Sequence, residues 1–346
     1  MVQKQGSPGI LPRDWSSERP IPRQVLGIAG HRPVPRPPPL DLALLGLAVA
    51  AVSTAAPLVR VADAPTLAIA FWRNALALPV LGVVVGFHAR RRAQHRRRRD
   101  LRLALDRRER RLSIVAGLFL GAHFATWVPS LSYTSVASSV ALVATQPVWA
   151  ALIARGRGEH VPRGAWWGIG SAVAGAIVLS GVDLSVEPRA LFGDLLALVG
   201  GVLAAAYVTV GAQVRRTVPT SVYALVCYGV AAGGLLAVCL VGRQPLAGAA
   251  GGYDGTTWLA LVAMVAGPQL LGHTVVNRVL GTTSPTLVSV AILFEIVGSA
   301  LLAWIAFDEV PPASAIPAAL FIGLGVVLVV RSGTEEPAVA GAPALE

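Results

Sequence analysis

One stretch of this chain occurs twice. Ser132 to Pro162 reads SYTSVASSVALVATQPVWAALIARGRGEHVP, and Gly281 to Pro312 reads GTTSPTLVSVAILFEIVGSALLAWIAFDEVPP. Laid together, Thr134-Ser135 fall on Thr283-Ser284 and Gln146-Pro147 on Glu295-Ile296, with Glu159 on Glu309 after a one-residue gap. Each copy is a Thr-Ser start, about twenty apolar residues, and an acid followed within three residues by proline. A core helix of a soluble protein that long would carry a polar face. A duplicated span of this kind is expected of the two halves of a membrane transporter.

Composition points the same way. Apolar residues make up 54% of the 346 and charged residues only 14%, too little polar surface for a soluble chain of this length. The mean hydropathy is +0.65. The apolar residues fall in runs long enough to cross a bilayer as helix. Abundant Gly and Ala allow close helix approach where no hydrophobic effect draws helices together. Net charge is +11, almost all arginine, since Lys4 is the only lysine. That charge lies between apolar spans, where the positive-inside rule expects it, and no soluble segment is left to bind nucleic acid. Cys227 and Cys239 share one predicted helix, about 18 Å apart along its axis, so no disulfide or metal site follows from them.

Read in order, residues 1–39 form a Pro- and Arg-rich tail without the apolar core of a signal peptide, and a disordered cytoplasmic segment is expected. The first half covers residues 40–182, with spans near 40–59, 64–87, 112–131, 136–154 and 164–182. Pro57 in the first span frees the Ser53 carbonyl and predicts a kink. Residues 88–111, HARRRAQHRRRRDLRLALDRRERR, are too charged for lipid. They read either as a solvated cytoplasmic loop or as a basic helix on anionic lipid. A linker at 183–194 leads to the second half, 195–331, with spans near 195–214, 218–241, 256–280, 285–307 and 313–330. Residues 332–346 close the chain as a polar tail.

The fold class is therefore an all-α polytopic membrane protein of ten transmembrane helices, arranged as two inverted five-helix repeats. Five spans per half is an odd number, so the halves insert with opposite topology. Arginine distribution places both termini in the cytoplasm, with only Arg60, Arg189 and Arg243 in the outer segments and Arg73 inside a span. An inner or plasma membrane is the expected location.

Three stretches carry a family resemblance: APTLAIAFWRNALALP in the second span, YTSVASSVALVATQPVWAALIA in the fourth, and NRVLGTTSPTLVSVAILFEIVGSALLAWIAFDEVPP through the ninth. The chain resembles the EamA-like transporters of the drug/metabolite transporter superfamily over roughly residues 40 to 331. The resemblance implies two inverted repeats, alternating access about a central cavity, and a small organic solute, often exported, without ATP. It also marks two departures. ARGRGEHVP stands where an apolar-Gly-Glu end is usual, and Glu295-Ile296 stands where Glu-Pro would bring a kink.

Arg73 lies about 12 Å into the second span, where an arginine needs a partner or water, and its fork suits a substrate carboxylate. Glu295 is the acid well inside a span, a candidate for proton coupling or for pairing with Arg73. His123 and Trp127 are four apart on one face of the third span, and His273 and Asn277 repeat that spacing on the eighth. Polar groups at matching depth in the two halves mark a binding site where the repeats meet, or buried histidines that are merely hydrogen-bonded. Asn74 and Gln146 complete the expected substrate-binding set, with Tyr133 and Tyr207 weaker; each of these equally suits a helix-bridging role.

No P-loop, HExxH, CxxC or GxSxG motif occurs, so ATP-driven and enzymatic readings lack support and no cofactor is expected. The expected function is secondary transport of a small organic solute, outward, with membrane lipid as the surrounding partner. A non-transporting assembly or regulatory protein, and a flippase for a lipid-linked metabolite, remain as alternatives. Oligomeric state is not legible.

Overall fold

The computed structural model describes residues 38–94, 105–134, 142–180, 187–247, 252–308 and 313–332, together with 139 and 310. The two tails, the centre of the basic loop, the start of the fourth span and the second acidic-proline end (Glu309, Pro311, Pro312) lie outside the described residues.

The described residues are helical throughout, with no strand among them. Lipid dictates this, because a backbone in hydrocarbon must satisfy its own N–H and C=O groups. Eight helices are long and apolar enough to cross a bilayer. They are α1 (Pro39–Val61), α2 (Thr66–Arg91), α3 (Arg107–Ser130), α6 (Pro188–Arg215), α7 (Thr220–Val241), α8 (Gly255–Val279), α9 (Pro285–Phe307) and α10 (Ala315–Ser332). Between α3 and α6 lie α4 (Gln146–Gly156) and α5 (Arg163–Ser180), so the count of membrane-length apolar helices among the described residues is eight where ten spans were expected. The α4 helix is described over 11 residues only, and α5 begins on Arg163 and spends four of its 18 residues on glycine.

The charged segment between α2 and α3 is partly helix. The α2 helix runs on to Gln94, and α3 starts at Arg107 behind an Asp106–Glu109 capping box, each side chain bonding the other's backbone N–H. Likewise α6 starts at Pro188, inside the stretch read as a linker, with proline at the position that needs no N–H donor.

Several spans are broken, and each break is compensated. In α1 the helix interrupts at Ser53-Thr54, four residues before Pro57, as the proline predicts. The freed Ser53 carbonyl accepts the Ser299 hydroxyl of α9 at 2.8 Å, while the Ser53 hydroxyl donates back to Val49 O at 2.8 Å. Gly298 makes this approach possible, because a Cβ there would collide with the Ser53 side chain. The α9 helix breaks at Leu293, so the kink exists although Ile296 replaces the expected proline. Its short-turn bonds, Leu293 N to Val290 O and Ile296 N to Leu293 O, repeat those of Thr145 to Leu142 and Val148 to Thr145 at the start of α4. The break recurs within one residue of the sequence alignment. In α8 the middle turns, Val265–His273, widen into π-helix around Pro268.

Small residues set the packing. The α5–α10 pair crosses at Gly168 and Gly325, where a Cβ on Gly168 would sit 2.7 Å from the Gly325 carbonyl oxygen. The largest apolar cluster joins α3, α6 and α7 through Leu120, Phe124, Val208, Tyr223 and Tyr228, with α1, α2 and α8 around it. Cys227 and Cys239 are buried free thiols on α7. Gly168→Val should cost about 1–3 kcal/mol by overpacking this crossing. A lowered apparent melting temperature of the detergent-purified protein would register it.

Candidate functional site

An arginine this deep is tolerable only if its donors find acceptors. Arg73 on α2 is 2% exposed, and its Nε donates to Gln269 Oε1 at 3.0 Å. Gln269 then donates through Nε2 to Asn74 Oδ1 at 3.0 Å, and the Asn74 amide donates to Ala70 O at 2.9 Å. The guanidinium carbon lies 4.5 Å from the centre of the Phe124 ring, a cation–π contact in a desolvated setting. Its Nη2 has no hydrogen-bond partner among the described residues.

The π-helix supplies Gln269. Widening the turn after Pro268 leaves the Gln269 carbonyl to accept the Thr274 N–H, the Thr274 hydroxyl at 3.2 Å and the Tyr228 hydroxyl at 3.4 Å. π-segments of this kind recur at functional sites because they change which side chains face inward. Gln269 was missed from the sequence. The local signals were the amide of Gln269 itself within a mostly apolar span and Pro268 before it, which reads as a kink rather than as a change of helical pitch.

On α3, His123 and Trp127 share a face as their spacing requires, with rings stacked at 5.7 Å and 7°. His123 Nδ1 lies 2.9 Å from Gly200 O of α6. A carbonyl only accepts, so the proton sits on Nδ1 and Nε2 is left as an acceptor. His273 packs edge-on against Phe124 at 5.9 Å, which brings both histidines, Trp127 and Arg73 around one aromatic residue and its neighbour. Trp127 Nε1 is a second buried donor without a partner among the described residues. Glu295 is half-buried just past the α9 break. No ion pair joins Arg73 to a carboxylate among the described residues.

Two further expected residues bond to other partners. Gln146 donates to Ser289 Oγ at 3.0 Å, bridging α4 and α9. Asn277 does not pair with His273 across a turn. It accepts the Tyr207 hydroxyl at 2.6 Å and donates to Tyr228 at 3.5 Å, one layer behind the Gln269 carbonyl. Tyr133 lies away from this cluster, edge-on to Phe192 of α6.

A small cleft lies where α4, α6 and the start of α9 meet. Arg157, His160, Thr209, Gln213, Arg216 and Thr286 line it. It opens on the end of the molecule where α6 finishes and α9 begins.

A charged and amide-lined centre inside a bundle of membrane-length apolar helices is the interior of a multi-pass membrane protein with a transporter-like function. The chain belongs to the EamA-like transporter family, whose model matches it twice, at residues 40–181 and 191–331. A solved crystal structure of a protein with 20% identity superposes on 86% of this chain and 99% of its own, at a TM-score of 0.68, and so shares the fold. No protein of curated function matches the chain in sequence.

Replacing Gln269 by Leu leaves the Arg73 Nε and the Asn74 carbonyl oxygen buried without partners, at about 1–3 kcal/mol for each group. Gln269→Leu should therefore unfold at lower temperature than the wild type in detergent, whereas a wild-type melting curve would mean that these bonds are not formed.

Proposed function

We propose that this protein is a secondary transporter that moves a small organic solute outward by alternating access, without ATP. The observation that carries the reading is the pair of buried, unpartnered donors, Arg73 Nη2 and Trp127 Nε1, in an aromatic-walled centre to which both repeats contribute. Donors in that setting favour a solute with an acceptor group, and the planar guanidinium favours a carboxylate held by two bonds. Arg73, Asn74, His123, Trp127 and His273 would contact it, with Gln146 and Asn277 holding the helices behind.

The proposed architecture is ten spans in two inverted repeats, α4 and α5 being the fourth and fifth. The paired breaks in α4 and α9 support it, as does the partnering of α5 with α10, the last helix of each half. The cleft between the repeats opens at the end of the molecule that carries Arg155, Arg157, Arg215, Arg216 and Arg278. The positive-inside rule assigns that end to the cytoplasm, so the solute would come in from there. Glu295, an acid half-buried just past the α9 break, is the proposed carrier of a coupled proton. Membrane lipid is the proposed surrounding, with the basic segment 88–111 against anionic headgroups.

Cells overproducing the wild type should release a compound that cells overproducing Arg73→Ala, at matched membrane levels, retain. Comparing metabolites in the two media checks this, and identical media would withdraw the role given to Arg73. Glu295→Gln should still exchange solute for solute in proteoliposomes but lose its response to an imposed proton gradient. An unchanged response would remove Glu295 from coupling.

A further inference from the structure

The stretch ARGRGEHVP, where this chain departs from the usual apolar-Gly-Glu end, takes no part in the polar centre. It forms one lip of the small cleft at the end of the molecule, where Arg157 and His160 both line it. Two helix faces carry the cleft inward. On α4 the lining residues are Ala150, Ala154 and Arg157, and on α6 they are Thr209, Ala212, Gln213 and Arg216. Both sets follow the i, i+4, i+7 spacing of a single helix face. Each face begins on a small or hydroxyl residue at depth and ends on an arginine at the mouth. The start of α9 closes the third side with Ser284 and Thr286.

The cleft grades from charge to hydroxyl. Arg157 and Arg216 are exposed at the mouth, against one carboxylate, Glu159, which meets Arg157 Nη2 at 3.1 Å. Two arginines against one acid leave a surplus of positive charge. A guanidinium carries five N–H donors, so the Glu159 contact does not exhaust Arg157. The N-terminus of α9, where the Ser284 hydroxyl accepts the Leu287 N–H at 3.2 Å, also favours an anion through its dipole.

Thr209 lies about 10 Å further in along α6. It is 4% exposed, and its hydroxyl has no hydrogen-bond partner among the described residues. Thr126 and Thr145, by contrast, each donate to a carbonyl three or four residues back, the usual outlet for a hydroxyl in a helix. An unmatched buried donor is costly, and this one points to an acceptor that comes from outside the chain.

We propose that the cleft is a binding site for a single oxyanion group, a carboxylate or phosphate, separate from the polar centre. Arg157 and Arg216 draw the charge to the mouth, and the Thr209 hydroxyl donates to the oxygen that reaches furthest in. The cleft is small, so it admits a head group rather than a whole solute. Its part in transport rests on the reading above: an acidic solute docks here by its head before it passes to Arg73.

The full chain, with labelled histidines and in phosphatidylcholine nanodiscs, is titrated with inorganic phosphate at constant pH and ionic strength while the imidazole signals are followed by NMR. His160 reports the cleft, and His123 and His273 report the centre. A saturable shift of the His160 signal, which is identified by its absence in His160→Gln, is expected. Thr209→Val keeps the shape and removes the hydroxyl, and should weaken binding about tenfold, the effect of losing one bond to a charged acceptor. Arg216→Gln should weaken it by at least as much, and Thr209→Ser should bind as the wild type does. No saturable shift, an equal shift with chloride, a response confined to His123 and His273, or wild-type binding by Thr209→Val would each overturn the proposal. If Thr209→Val does not fold, the exposed Arg216 lets Arg216→Gln decide by itself. Phosphatidylglycerol nanodiscs distinguish the source of the anion. A His160 signal already shifted there, and no longer responsive to phosphate, assigns the cleft to a lipid headgroup and withdraws the docking step; an unaltered titration assigns it to a free anion. Solute release, compared between the wild type and Arg73→Ala, tests the transport reading alone, and its failure leaves the His160 titration standing.

Discussion

Hydrocarbon offers no hydrogen bonds, and every other feature of this molecule is an answer to that constraint. Regular helix satisfies the backbone at no further cost, which is why the described chain is helix from Pro39 to Ser332 with short connections. A transporter-like interior, however, needs irregularity, and each irregular point here is matched by a donor or acceptor from another helix. The Ser53 carbonyl, released by Pro57, is taken up by Ser299. The Gln269 carbonyl, displaced by the π-turn, collects Thr274 and Tyr228. Arg73, the group least suited to the setting, is held by the amide of the residue that the π-turn brings inward. Disorder in the helices and polarity in the centre are thus one feature, since the breaks lie beside the residues that give the centre its charge.

The membrane class, the two repeats and the family were legible because they depend on run length and duplication, which a linear sequence records directly. The Ser53 break was legible too, because a proline removes a particular bond at a known distance along the chain. Arg73 and the His123–Trp127 stack could be read for a similar reason: a charge among apolar residues stands out, and four-residue spacing fixes a shared face in regular helix. Gln269 and the true setting of Asn277 could not be read. Gln269 depends on a change of pitch within α8, where spacing arguments assume constant pitch, and Asn277 on tyrosines of α6 and α7 that its own helix does not announce. The α9 break escaped for the opposite reason. It lacks the proline that marks its counterpart in α4, so nothing in its own sequence announces it.

The polar centre is asymmetric although the two halves are related. The first repeat contributes an arginine and a stacked histidine–tryptophan pair, and the second contributes an amide and a histidine. Duplication supplied the frame and later divergence supplied the chemistry. Substrate preference in such a fold resides in these few side chains, and the frame alone does not fix it.

Two threonine–aspartate bonds cross between the halves, from the Thr282 hydroxyl to Asp41 and from the Thr134 hydroxyl to Asp194, each at 2.6 Å, and they bear on how the chain is made. Asp41 and Thr134 emerge from the ribosome with the first repeat, but their partners, Thr282 and Asp194, belong to the second. The first half is therefore inserted with both of these positions unmatched and stays so until later helices arrive. Asp194 comes first and closes one face; Thr282, reached only after α8, closes the other. Biogenesis thus proceeds through an intermediate fastened at one end only. Neither half alone contains the contacts that complete it.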